Sequence, residues 1–248
     1  VGGTPTATTQ PTATTQPTAS ASPGSTVSPQ ITTVPVQHAL VFCTQPLQLS
    51  DDATCTPKPP AAISSQPTVK DAVPTCDTNV TSWTPGTNTA VHCVGLEGVA
   101  LQPQNTGMLA CLFAEQASTP SGYASMRASG GGSAVLGVLQ NAAQTGGGTF
   151  KVDGYYLKVG ASGGATQFQF YKVDASGTST TLHTGTLSFA LPAHYVISVL
   201  YGHGAFTLYL NGNQIGQASD GTITTGWLSV CGDTSVVNVT DALLYPAS

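Results

Sequence analysis

The chain has 248 residues, of which 7% are charged, with six Lys and Arg against eleven Asp and Glu and a formal net charge of −5. Ordinary globular chains carry about 25% charged residues, and cations this few and scattered exclude a nucleic-acid surface, which needs clustered positive charge. No apolar run approaches the roughly 18 residues of a membrane-spanning helix.

Val1 to Val36 is a Thr/Pro/Ala-rich leader. The unit Pro-Thr-Ala-Thr-Thr-Gln occurs at Pro5 to Gln10 and again at Pro11 to Gln16, with a degraded copy from Pro17. Nothing in it is large and apolar, so nothing offsets the roughly 1–2 kcal/mol per residue that ordering a backbone costs. Proline favours extended, polyproline-like geometry. The leader is therefore predicted to be extended, gaining a fixed shape only against a partner surface. Ser/Thr with Pro is also the composition of O-glycosylated stalks, which makes Thr4, Thr6, Thr8, Thr9, Thr12, Thr14, Thr15 and Thr18 candidate O-glycan acceptors. The chain begins at Val1 rather than Met, read here as a mature form whose targeting segment has been removed, secreted or displayed at the cell surface.

Residues 37–80 hold one short apolar run, "HALVFC", and then Pro-rich polar sequence that prevents a helix. They are predicted to form an irregular layer pinned by cystine. The six cysteines are Cys43, Cys55, Cys76, Cys93, Cys111 and Cys231. There is no Cys-x-x-Cys pair and no His at metal-ligand spacing, so zinc is disfavoured. An even number of cysteines in a chain of this composition argues for disulfides and an oxidising compartment. The expected pairs are Cys43 with Cys55, Cys93 with Cys111, and Cys76 with Cys231.

From Thr81 to Ser248 the pattern is short strands between turn residues. Strands are predicted at Val91 to Gly95, Met108 to Ala114, Ser133 to Leu139, Thr149 to Val152, Tyr155 to Val159, Thr166 to Val173 and Thr181 to Phe189. Further strands are predicted at His194 to Gly202, Ala205 to Ala218, Gly226 to Cys231 and Ser235 to Leu244. In "TQFQFYKV", Phe168 and Phe170 share one face and Gln167, Gln169 and Tyr171 the other. In "AFTLYLNGNQIGQA", Phe206, Leu208 and Leu210 share a face, and Asn211-Gly212 stands where a two-residue type I′ hairpin turn belongs. No window sustains helical apolar spacing. The predicted fold is all-β, a two-sheet antiparallel sandwich, with the extended segment in front of it.

The stretch Phe206 to Val230, "FTLYLNGNQIGQASDGTITTGWLSV", resembles the concanavalin A-like and laminin-G-like jelly rolls. Their final hairpin carries an Asn-Gly turn, then an Asp, a Gly opening the next strand, and a closing strand like "VVNVTDALLY". Here those positions are Asn211-Gly212, Asp220, Gly226 and Val236 to Tyr245. The Thr/Pro-rich leader in front of such a domain looks like bacterial surface and secreted proteins. The resemblance implies a fold more sharply than a function. It raises calcium at a loop edge, for which Asp220 and Asp233 are the candidate oxygen ligands, flanking Gly226 and Trp227.

Glycosidases on this fold project two or three closely spaced carboxylates from one strand. The only glutamates are Glu97 and Glu115, and no Glu-x-Asp-x-Glu pattern occurs. Ser133 follows three glycines but lacks the Gly-x-Ser-x-Gly elbow. His183, His194 and His203 have no carboxylate or second His in strand register. The chain is accordingly expected not to be an enzyme. Among the aromatics Tyr155, Tyr171, Tyr201, Tyr209 and Trp227, the candidates for a carbohydrate platform are Tyr171, Tyr209 and Trp227. Asn79 and Asn238 each open an Asn-Val-Thr sequon. The functional expectation is a non-catalytic, glycosylated, secreted structural protein, a self-assembling filament or envelope subunit whose leader contacts copies of itself. The alternative is a stalked carbohydrate-binding or adhesion domain.

Overall fold

The alternating segments of the sequence become strands because one face of each meets an apolar neighbour and the other does not. The structure, a computed structural model, describes residues 40–61, 63, 67–70, 83–86, 88–93, 98–105, 107–114, 118–143 and 151–247. They belong to the unit Pro35–Ser248. The leader, with its eight threonine acceptors, lies outside the described residues, as do Cys76, Asn79, Glu97 and Glu115.

Among the described residues fifteen strands follow in chain order. They are β1 (Val69–Lys70), β2 (Thr84–Pro85), β3 (Thr89–Cys93), β4 (Val99–Pro103), β5 (Ala110–Ala114), β6 (Gly122–Gly130), β7 (Ser133–Ala143) and β8 (Lys151–Ser162). The remainder are β9 (Ala165–Val173), β10 (Ser179–Leu187), β11 (His194–Gly202), β12 (Ala205–Leu210), β13 (Asn213–Ser219), β14 (Trp227–Asp233) and β15 (Val237–Pro246). One sheet has eight strands, in the order β13-β12-β11-β6-β15-β4-β3, with β1 also paired to β15. The other has seven, in the order β10-β9-β8-β7-β14-β5-β2. The pairings are antiparallel, so the fold is the expected two-sheet sandwich.

The described end of one expected strand, Lys151 and Val152, and the whole of another, Tyr155 to Val159, are one continuous β8; Thr149 and Phe150 lie outside the described residues. Its Gly154 keeps the strand running past Gln140, whose side chain occupies the space a Cβ would need. Strands β4 and β6 were not predicted. β6 reads "GYASMRASG" and lies between β11 and β15. Its inward residues are Ala124, Met126 and Ala128, small or flexible side chains that leave no strong alternation to read.

The core lies between the sheets. Leu101, Met126, Ile197, Leu208 and Leu244 from the eight-stranded sheet meet Leu112, Leu136, Leu157, Phe170 and Val230 from the seven-stranded one, all fully buried. Each such side chain contributes about 1.5–3 kcal/mol on leaving water. The turn Asn211-Gly212 has positive φ at both residues (50° and 79°), the signature of type I′, and His203-Gly204 repeats it between β11 and β12.

The disulfides correct the expectation in part. Cys43–Cys55 forms as predicted. Cys111 pairs with Cys231, not with Cys93, and Cys231 therefore does not pair with Cys76. Cys111 and Cys231 stand directly opposite each other on neighbouring strands β5 and β14. The 120 residues between them conceal that adjacency in the sequence.

Candidate functional site

A sandwich has two outer faces, and here they differ. Residues 40–63 cover the outer face of the eight-stranded sheet. Leu40 and Ile63 pack on the cluster Tyr123, Leu243 and Tyr245. Arg127 Nε lies 3.2 Å from Asp241 Oδ2, and its Nη2 donates to Thr56 Oγ1 at 2.9 Å. Thr56 and Asp241 are buried. Ala53 N donates to the His194 carbonyl (2.9 Å), and the Asn213 side chain donates to the Leu47 carbonyl (2.7 Å). The irregular layer thus lies flat on the sheet, with Cys43–Cys55 closing its loop.

The outer face of the seven-stranded sheet is built differently. Antiparallel register and alternation arrange its outward residues in rows across the strands. One row runs Thr184, Gln169, Lys158, Val135, Cys231, Cys111. The row beside it holds Thr186, Gln167, Gly160, Ser133 and Asp233. On the other side runs Thr181, Tyr171, Tyr156, Gly137, Ser229, Phe113. Thr184, Gln169 and Lys158 of the first row and Thr186, Gln167, Gly160 and Ser133 of the second line a groove of about 590 Å³ that also takes in Thr234. Gly160 has a definite part in it: a Cβ there would lie 2.2 Å from Ser133 Oγ, so only glycine lets Ser133 lean across the groove floor.

The chemistry of the groove is that of amides and hydroxyls. Gln169 Nε2 donates to Thr181 Oγ1 at 2.7 Å, and Thr184 Oγ1 donates to the Phe168 carbonyl at 3.0 Å. Lys158 Nζ is ion-paired with Asp233 Oδ2. Next to the groove the rings of Tyr156 and Tyr171 stack, with centroids 5.2 Å apart and planes 10° from parallel. Burial pushes the Tyr171 phenol well above its ordinary value, and the negative charge of Asp233 adds to that shift. Burial does the same to Tyr156, whose hydroxyl donates to the Val152 carbonyl at 2.7 Å. Both phenols are therefore neutral at any physiological pH.

The aromatic candidates divide between the two faces. Tyr171 and Trp227 lie on the outer face of the seven-stranded sheet, Trp227 one rung beyond the Tyr156–Tyr171 row and opposite Gln140. Tyr209 lies on the outer face of the other sheet, edge-on to Tyr123 (centroids 6.1 Å apart) in the cluster beneath residues 40–63. The three cannot serve one ligand. Tyr155 and Tyr201 are core residues.

Asp220 and Asp233 do not come together. Asp220 Oδ1 accepts from the Tyr155 hydroxyl (2.6 Å) and from Thr222 N (2.9 Å), while Oδ2 pairs with Lys172 Nζ (2.8 Å). Burial works to raise the Asp220 carboxyl, but the hydrogen bonds from Lys172, Thr222 and Tyr155 outweigh it and hold the group well below the usual carboxylate range. Asp233 is committed to Lys158. Among the described residues no group of three or more His, Cys, Asp or Glu side chains is placed to hold a metal ion. His194 does find a carboxylate that strand register hides: its Nδ1 lies 3.2 Å from Asp52 Oδ1, in the N-terminal layer.

The residues missed by sequence reasoning are Lys158, Ser133, Thr184 and Thr186. Gln167 and Gln169 were visible as the polar side of an alternating strand. The others stand out only once register sets them beside those glutamines.

No family model matches the chain, and no curated protein matches it. Solved structures do. A carbohydrate-binding module from Bacillus subtilis matches with a TM-score of 0.54 at 15% identity, over 66% of this chain and 95% of that one. A Bacillus subtilis protein of unknown function with a galectin-like fold matches with a TM-score of 0.54 at 10% identity, over 69% of this chain and 92% of that one. A glycosidic hydrolase matches with a TM-score of 0.50 at 11% identity, over 76% of this chain and 99% of that one. The likeness shows the fold, a concanavalin A-like jelly roll, as the resemblance implied. It corrects two expectations. The self-assembling structural subunit loses its ground, because solved chains of this architecture include a carbohydrate-binding module. The expectation of no enzymatic activity falls too, because a glycosidic hydrolase shares the same sandwich. The two cystines fit an extracellular setting. Among the described residues no helix is long and apolar enough to cross a membrane.

Proposed function

We propose that the chain is a secreted carbohydrate-binding domain that holds a glycan in the groove on the outer face of its seven-stranded sheet. One observation carries this reading: the face not covered by residues 40–63 presents amides, hydroxyls and a paired lysine beside a stacked tyrosine pair. Sugars offer rings of hydroxyls that both donate and accept, flanked by apolar C–H faces. Gln167, Gln169, Thr184 and Thr186 supply the matching polar groups, and Tyr171 supplies the aromatic edge of the site. The carbohydrate-binding module and the glycosidic hydrolase that share the fold agree with this reading.

The test is affinity electrophoresis and calorimetry of the full chain against a panel of polysaccharides, with a reducing-end assay run alongside to detect bond cleavage. The expected result is saturable binding to at least one member, weakened about tenfold or more in the double variant Gln169→Ala, Thr184→Ala. Each lost hydrogen bond contributes roughly 0.5–1.5 kcal/mol. Binding that survives this pair unchanged would place the site elsewhere.

A further inference from the structure

The groove is lined by one cation, Lys158, whose charge is matched by the carboxylate of Asp233 beside it. Lys158 Nζ is paired with Asp233 Oδ2, the lysine side chain about a third exposed (32%) and the aspartate mostly covered (13%). Every other side chain lining the groove is uncharged, chiefly Gln167, Gln169, Thr184, Thr186 and Ser133. Two other basic groups are committed elsewhere, Arg127 to Asp241 beneath the N-terminal layer and Lys172 to Asp220. An entering uronate or sulfate would find no unpaired cation here. It would approach a fixed carboxylate, or have to displace it from Lys158, and separating a partly buried pair leaves an uncompensated charge. A neutral sugar meets no such obstacle. Lys158 keeps N–H donors beyond the one directed at Asp233, and the groove stays electrically balanced when they are used.

On the carbohydrate-binding reading above, we infer that the groove takes uncharged glycans and that Asp233 is the residue that excludes anionic ones, by holding the charge of Lys158 neutral. The discrimination comes from the net charge of the Lys158–Asp233 pair.

The experiment uses the full chain on two sets of probes, laminarin, levan and mannan as neutral glycans and alginate, polygalacturonate and κ-carrageenan as anionic ones, at low salt and with added sodium chloride. The expected result is retention by at least one neutral glycan, insensitive to salt, and no retention by the anionic set. Asp233→Asn then gains affinity for the anionic set by about fivefold at low salt, the upper end of what one exposed charge pair contributes, and salt removes the gain. Salt-sensitive binding of an anionic glycan by the unaltered chain overturns the inference and leaves carbohydrate binding standing. Retention by neither set overturns both. If Asp233→Asn fails to fold, Lys158→Gln decides: it leaves Asp233 unpaired beside the groove and gains no anionic binding, and a gain there overturns the proposed role of the pair.

Discussion

Asn211 sits at φ 50° in the β12–β13 turn and is 1% exposed. Its Oδ1 accepts from Val196 N (2.9 Å), and its Nδ2 donates to the carbonyls of Leu49 (3.2 Å) and Asp51 (2.8 Å). The turn was legible in the sequence because Asn-Gly is the favoured pair for it. The hold on the N-terminal layer was not, since the Leu49 and Asp51 carbonyls lie some 160 residues earlier in the chain. Asn211→Ala strands a buried N–H and two carbonyls, and chemical denaturation should show a loss of about 1–3 kcal/mol. Asp220 gives a second test at this scale. Its carboxyl is held below the ordinary value, so it stabilises the fold fully above the unfolded carboxylate pKa of about 3.9 and loses that contribution as pH falls toward the folded value. Asp220→Asn should therefore lower the melting temperature at pH 7. The gap between variant and parent should narrow steadily in melts run below about pH 4.

Strands β8, β9 and β10 carry the groove, and their alternation could be read directly from "TQFQFYKV" and its neighbours. β6 could not. Its place between β11 and β15 is fixed by the partners on either side, which pack over Ala124, Met126 and Ala128. Small inward residues allow close approach but leave no hydrophobic alternation for a reader to detect. Met126 is fully buried, and Met126→Ala should cost about 2–5 kcal/mol in a urea titration, as much as a comparable change in any of the obvious strands. Which polar residues of β8 to β10 act together was equally hidden, because Lys158, Gln169 and Thr184 become neighbours only through pairing register.

At the largest scale the two-sheet sandwich follows from the turns and alternation, whereas the order of strands within each sheet does not. The cystine that joins β5 to β14 follows from neither, because it depends on which distant strands become adjacent. The cross-links tie off very different lengths of chain, with sequence separations of 12 for Cys43–Cys55 and 120 for Cys111–Cys231. On the chain-entropy account, replacing Cys111 and Cys231 together by Ala should cost about 4–5 kcal/mol, against about 3 kcal/mol for Cys43 and Cys55, measured by guanidinium unfolding. The function expected from the leader misled for a related reason: composition describes the leader alone, whereas the groove belongs to residues that only the folded sheet assembles.

Cys111 and Cys231 are buried within the pleated face, while Cys43 and Cys55 are half-exposed in the outer layer. A soluble reductant therefore reaches the outer bond on the native protein and the inner one only after β5 and β14 part. Timed thiol trapping in dithiothreitol should separate these two bonds into a fast and a slow phase, and the slow one is an intrinsic clock for how often the sandwich opens.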